Sequence, residues 1–140
     1  MHKRTRSREC ALQILYTIDI SGSLANDALA TFWIEHPTFA EEVRKFSNEL
    51  VEGVYANIAQ IDKTISKYAI NWTLKRMAVV DRNILRLAVY ELLFKDDIPP
   101  KVTINEAVEI AKKFGDANSS KFVNAILDKI GKETKRIEKG

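Results

Sequence analysis

Residues that staple or interrupt a chain are scarce in these 140: one cysteine, three prolines and five glycines. The lone Cys10 excludes an internal disulfide. The two histidines, His2 and His36, stand too far off in sequence to complete a zinc site with it. So few glycines and prolines, with no recurrent short alternating runs, argue for an all-α chain over an all-β one. No apolar run is long enough to cross a bilayer. The basic start leads into an amphipathic stretch and not into an apolar signal core, so the expected compartment is the cytoplasm, with no membrane partner. A glycine-rich phosphate loop, a nucleophile with a base beside it and an acid spacing that marks a metal or an acid–base pair are all missing. No catalytic residue, metal or cofactor is therefore expected. Excess charge is small as well, a net +3 with a pI near 9.0. An anionic partner then has to be recognised by a local cluster.

What the chain does have is apolar periodicity. Hydrophobic residues make up 46% and charged residues 29%, which suits one folded domain or two small lobes sharing an interface. The stretch 81–94, DRNILRLAVYELLF, places Ile84, Leu85, Ala88 and Leu92 on one helical stripe, and Leu87, Val89, Leu93 and Phe94 widen it around most of the circumference. A helix apolar on so many sides belongs at the centre of a bundle. Before it, Ala11, Ile14, Leu15 and Ile18 mark an amphipathic helix stopped by Ser21-Gly22-Ser23, and a weaker helix is expected from about Asn26 to Ile34. From Phe39 to Tyr68 the apolar spacing predicts one long helix or two nearly collinear ones. Gly53 in mid-helix costs about 1 kcal/mol against alanine, which close approach of a neighbour would offset. Asn71-Trp72-Thr73 reads as a break. Beyond Pro99-Pro100, Thr103-Ile104-Asn105-Glu106 reads as a capping box opening the next helix, which Gly115 stops. The last helix begins near Ser119 or Ser120 and turns Phe122, Val123, Ile126, Leu127 and Ile130 inward.

Two clusters could carry binding. Lys3, Arg4, Arg6 and Arg8 place four cations within six residues with no acid among them, a patch able to displace counterions from a nucleic-acid backbone. The alternative is a solvated, flexible tail. At Asn118-Ser119-Ser120-Lys121-Phe122 the free amides of a helix start, together with the Lys121 charge, form a phosphate seat. Phe122 could stack on an unpaired base, or pack inward with Ile126, which periodicity alone favours. Tyr16 sits at the rim of the first helix, where partial exposure suits a protein contact, and Asp81 where an acid complements a helix dipole. Cys10 reads as a structural thiol.

The pieces RSRECALQILY at 6–16, WTLKRMAVVDRNILRLAVYELLF at 72–94 and KVTINEAVEIAKKFGDANSSKFVNAILDKI at 101–130 resemble, in order, the NusB family of bacterial transcription antitermination factors. Ala125 departs from the pattern, since many members have glycine after FVN. The resemblance implies an all-helical fold of about seven helices in two packed bundles, about 1–70 and about 71–140. It implies binding to boxA-type single-stranded RNA of ribosomal RNA leaders, jointly with NusE, the small-subunit ribosomal protein, and indirectly to the RNA polymerase elongation complex. Arg4, Arg6 and Arg8 fall in the family's arginine-rich RNA-contacting segment, and Lys121 and Phe122 in its second RNA-contacting spot. Tyr16 and Asp81 match positions of the NusE interface. Members differ in oligomeric state, so a homodimer stays open. Two other readings stay open too: a NusB-like adaptor domain serving an RNA methyltransferase, and a purely protein-binding helical adaptor.

Overall fold

The computed structural model describes the backbone of residues 3–139 and the side chains of residues 3–134; His2 lies outside the described residues. Among these, seven α-helices and one 3₁₀ turn account for the regular structure, and there is no strand. The helices are α1 (Lys3–Ser21), α2 (Ala25–Glu35), α3 (Glu41–Ala56), α4 (Ile58–Tyr68), α5 (Val79–Phe94), α6 (Pro100–Phe114) and α7 (Ser119–Lys139), with the 3₁₀ turn at Leu74–Arg76.

The stripe read from 81–94 becomes α5, which packs against α1, α3, α4, α6 and α7. Ile84, Leu85, Leu87, Ala88, Val89 and Leu92 are all buried there, in one apolar cluster that runs through both halves of the chain. At about 1.5–3 kcal/mol for each large side chain buried, α5 contributes more to the core than its length implies. Phe94, counted in the stripe, stays partly exposed and stacks on Tyr90.

Between Phe39 and Tyr68 the chain forms two helices, not one. They break at Asn57, whose side-chain amide donates to the Gly53 carbonyl oxygen at 2.9 Å. The neighbour expected at Gly53 is Tyr90, whose ring occupies the space a Cβ would need.

The capping box is corrected. Pro100 opens α6 with Pro99 as its cap, one turn before the expected start, because proline's fixed φ and missing amide suit the first helical turn. Thr103 and Glu106 therefore lie inside the helix and serve a different purpose. Thr103 donates to Glu91 at 3.0 Å, and Glu106 accepts from Arg8 at 3.1 Å.

Helix α1 runs antiparallel to α5. Arg8 meets Glu91 at one end, and Asp19 meets Arg82 at the other. It runs beside α6 in the same sense, with Thr5 on Glu106 and Glu9 on Lys113.

Candidate nucleic-acid interface

Helix α1 begins at Lys3, so the basic segment is helical and not a flexible tail. That fixes where each cation points, and the four do not point alike. Arg8 is 3% exposed, and its guanidinium grips Glu91 through two bonds of 2.8 Å while also reaching Glu106. Burial alone would lower its pKa, but hydrogen bonds and charge from Glu91, then Glu106, hold it raised. Arg8 is thus committed to the interior and offers no donor to a strand on the surface, contrary to its expected place among the backbone-contacting arginines. The fixed cation acts through its neighbours by holding the first turns of α1 in place.

The other three stay on the surface. Arg6 is exposed and has no acid partner among the described residues. Lys3 pairs with Glu42 at 3.1 Å, and Arg4 reaches Asp97 only at 3.8 Å. Both pairs are solvent-exposed, so they contribute little and yield easily to a phosphate. The Arg4 guanidinium lies 4.4 Å from the centre of the Phe46 ring, a cation–π contact that orients it. Lys3, Arg4, Ser7, Lys45 and Phe46 line a cleft of about 350 Å³ together with Glu42 and Glu49. Lys45 has no acid partner among the described residues and was missed in the sequence, where it reads as one more solvated lysine on α3.

The second cluster lies at the opposite end of α5. Ten residues separate Glu91 from Asp81, about 15 Å along the helix. Lys112 and Lys113 lie in the last turn of α6, paired with Glu109 and Glu9. At the start of α7 an acid stands beside the expected phosphate seat. The Asp116 carboxylate accepts from the Asn118 amide at 2.8 Å and from the Ser119 hydroxyl at 3.3 Å. A second anion there would meet that charge. Lys121 is exposed and unpaired among the described residues. Phe122 has both roles in part: it packs on the core, and its ring meets Trp72 at 6.0 Å and 76°, an edge-to-face arrangement. Trp72, Arg76, Asp81, Asp116, Asn118 and Phe122 are among the residues lining a cleft of about 340 Å³ there.

Tyr16 and Asp81 share that end but not its exposure. Residues 5, 9, 12 and 16 follow one another on the same side of α1. The first two are bonded to α6, which ends at Phe114, so Tyr16 runs past its cover and is 41% exposed, followed by Ile20 at 61%. Asp81 is only 8% exposed, and its Oδ1 is buried with no hydrogen-bond partner. Burial pushes its pKa up, and Asp116 adds to the rise against a hydrogen bond from Ser119. The structural reading of Cys10 fits its burial, which pushes the thiol up to about 11. Among the described residues no group of His, Cys, Asp and Glu is placed to hold a metal, and no helix is long and apolar enough to cross a membrane.

The family model described as NusB matches residues 5–132. The chain belongs to the NusB family. It is 52% identical to the transcription antitermination protein NusB of Anaeromyxobacter sp. (strain Fw109-5) over 91% of this chain and 89% of the relative. The NusB of Bacillus subtilis (strain 168) is 48% identical over 91% of this chain and 94% of its own. Among solved structures, T. maritima NusB superposes with a TM-score of 0.86 at 43% identity, covering 93% of this chain and 91% of the other. A complex of the antitermination factors NusB and NusE with double-stranded RNA superposes at 0.87 and 29% identity, over 95% and 98%. The resemblance and the all-helical fold expected from the sequence are both borne out, and the family is one of non-catalytic antitermination factors.

Proposed function

We propose that this chain is an RNA-capturing antitermination factor that grips boxA-type single-stranded RNA jointly with NusE and makes or breaks no bond in it. The observation that carries this reading is the helical presentation of Lys3, Arg4 and Arg6 at the start of α1, with Arg4 set over the Phe46 ring, Lys3 and Arg4 in pairs too exposed to hold them back, and Arg6 without an acid partner among the described residues. Lys121, exposed and unpaired among the described residues, adds a second cationic spot at the far end of α5. A single strand fits better than a duplex because the aromatic pair Trp72 and Phe122 needs bases free of their partners. Tyr16, with Ile20, forms the apolar contact for NusE, and Asp81 supports that end from beneath the surface. Holding both partners on one scaffold raises the effective concentration of each for the other, so capture is cooperative. Bound in the cytoplasm to the RNA polymerase elongation complex, the assembly suppresses termination and supports ribosomal RNA transcription.

Filter binding tests this reading, with boxA-type RNA, its scrambled sequence and its duplex, each with and without NusE. The single strand should bind best, and more tightly when NusE is present. Equal retention of none of the RNAs, with NusE still bound, would leave a purely protein-binding adaptor.

A further inference from the structure

We propose that Trp72 is the base-stacking residue of the α7 end and that its cleft with Arg76 seats one unpaired nucleobase. The proposal rests on the RNA-binding reading above and assigns a role to a residue outside the arginine segment and the Lys121–Phe122 spot. Trp72 is 50% exposed in a protein whose other tryptophan, Trp33, is buried and bonded to Asn48. The turn that carries it is well fixed. Asn71 adopts a left-handed φ of 75°, the Trp72 amide closes onto the Ala69 carbonyl at 3.1 Å, and the Arg82 guanidinium ties the following 3₁₀ turn to α5 through the Leu74 carbonyl at 2.9 Å. An aromatic ring presented half-open on a fixed turn loses little entropy when a base settles on it.

Further groups point to the same ligand. Phe122 takes one side of the tryptophan edge-to-face and lines the cleft, so the ring is braced while much of its surface stays free. Arg76 lines the cleft with no acid partner among the described residues, so its guanidinium offers donors to the acceptor atoms of the stacked base. Asp81 and Asp116 line it as well, and two carboxylates there favour the N–H edge of a base over an anion; the unpartnered Asp81 Oδ1 lies beneath that surface. The chemical class that supplies a flat ring with N–H donors and acceptor atoms on its edges is an unpaired nucleobase of single-stranded RNA.

Tryptophan fluorescence reads the contact directly, because Trp33 is sequestered. Adding single-stranded boxA-type RNA to the full chain should quench emission, and W72F should abolish the quench. Affinity should fall about five- to a hundredfold in W72A, in keeping with the loss of one stacked base, and should recover partly in W72F, which keeps a ring. Unchanged emission and unchanged W72A affinity, with binding still sensitive to Arg4 and Arg6, would overturn the assignment and leave the RNA-binding reading standing. Quenching by NusE alone would give the cleft to the protein partner and overturn it as well. Loss of all RNA binding by the unmodified chain would remove both readings.

Discussion

The two ends of α5 solve opposite problems with similar residues. At the end near Glu91, every strong charge inside the fold is satisfied: Arg8 is held by two carboxylates, Glu91 also accepts from Thr103, and Ser7 donates to the Val43 carbonyl at 2.8 Å. At the Asp81 end an aromatic pair stands half open, Arg76 is unpaired among the described residues, and a buried carboxylate oxygen has no donor. The first end leaves a neutral hydroxyl, Ser47 Oγ, without a partner but answers its buried charges within the fold, whereas the second leaves a carboxylate oxygen unanswered. A buried pair of this kind adds little against an apolar replacement, yet breaking it is costly. Its use here is to fix the register of α1 so that Arg4 and Arg6 project in a set direction.

The largest effect should come from breaking the end near Glu91. Arg8→Ala or Glu91→Ala strands a buried charge and should cost about 3–5 kcal/mol of stability, read by urea unfolding. Trp72→Ala at the other end should cost about 0.5–1.5 kcal/mol, the worth of its contact with Phe122. Equal losses at the two ends would erase the contrast. Next in size is Gly53→Ala, which drives a methyl into the Tyr90 ring beside Glu91 and should cost about 1–3 kcal/mol.

Two carboxylates at the Asp81 end sharpen the comparison through pH. Burial raises Asp81 above its ordinary 3.8. From that value up to the raised one, the folded state keeps a proton that the unfolded chain has released, so stability falls as pH rises through the window. Asp81→Asn should therefore stabilise the protein at neutral pH, with the gain fading on acidification. Asp19 behaves in reverse. Burial pushes it up, but hydrogen bonds from Arg82 and Asn83 and the charges of Arg82 and Arg86 more than offset that, so its pKa is lowered. Its stabilisation is present above about pH 3.8 and lost as pH falls through the lowered value, so Asp19→Asn should destabilise at neutral pH. Unfolding free energies of both variants across the acid range check the opposite signs. The smallest effect is at Cys10: with its thiol near 11, it should resist alkylation at neutral pH and react only in strong base or on unfolding.

Most of the fold was legible because it rests on local periodicity. The stripes at 11–18, 84–92 and 123–130 became the buried faces of α1, α5 and α7, and Gly53 announced its close neighbour. The errors arose where a partner lies far along the chain. Arg8 looked like its exposed neighbours because nothing nearby in sequence reveals Glu91, eighty-three residues away. Thr103 and Glu106 matched a capping box by spacing, although both are drawn towards that same buried charge. At the other end, the phosphate seat was read from a helix start without its Asp116, whose carboxylate takes the Asn118 amide and the Ser119 hydroxyl. Trp72 was passed over as a helix break. A large aromatic beside an asparagine in a turn was the signal available, and only its exposure and its distance to Phe122 give it weight.

The salt dependence of boxA-type RNA affinity tests most directly whether surface cations on a fixed helix hold the strand. Lys3, Arg4 and Arg6 changed together to alanine should leave the fold intact and reduce the log–log slope by about 2, three contacts at about 0.7 each on a single strand. A folded triple variant that keeps both the affinity and the slope of the unmodified chain would contradict it.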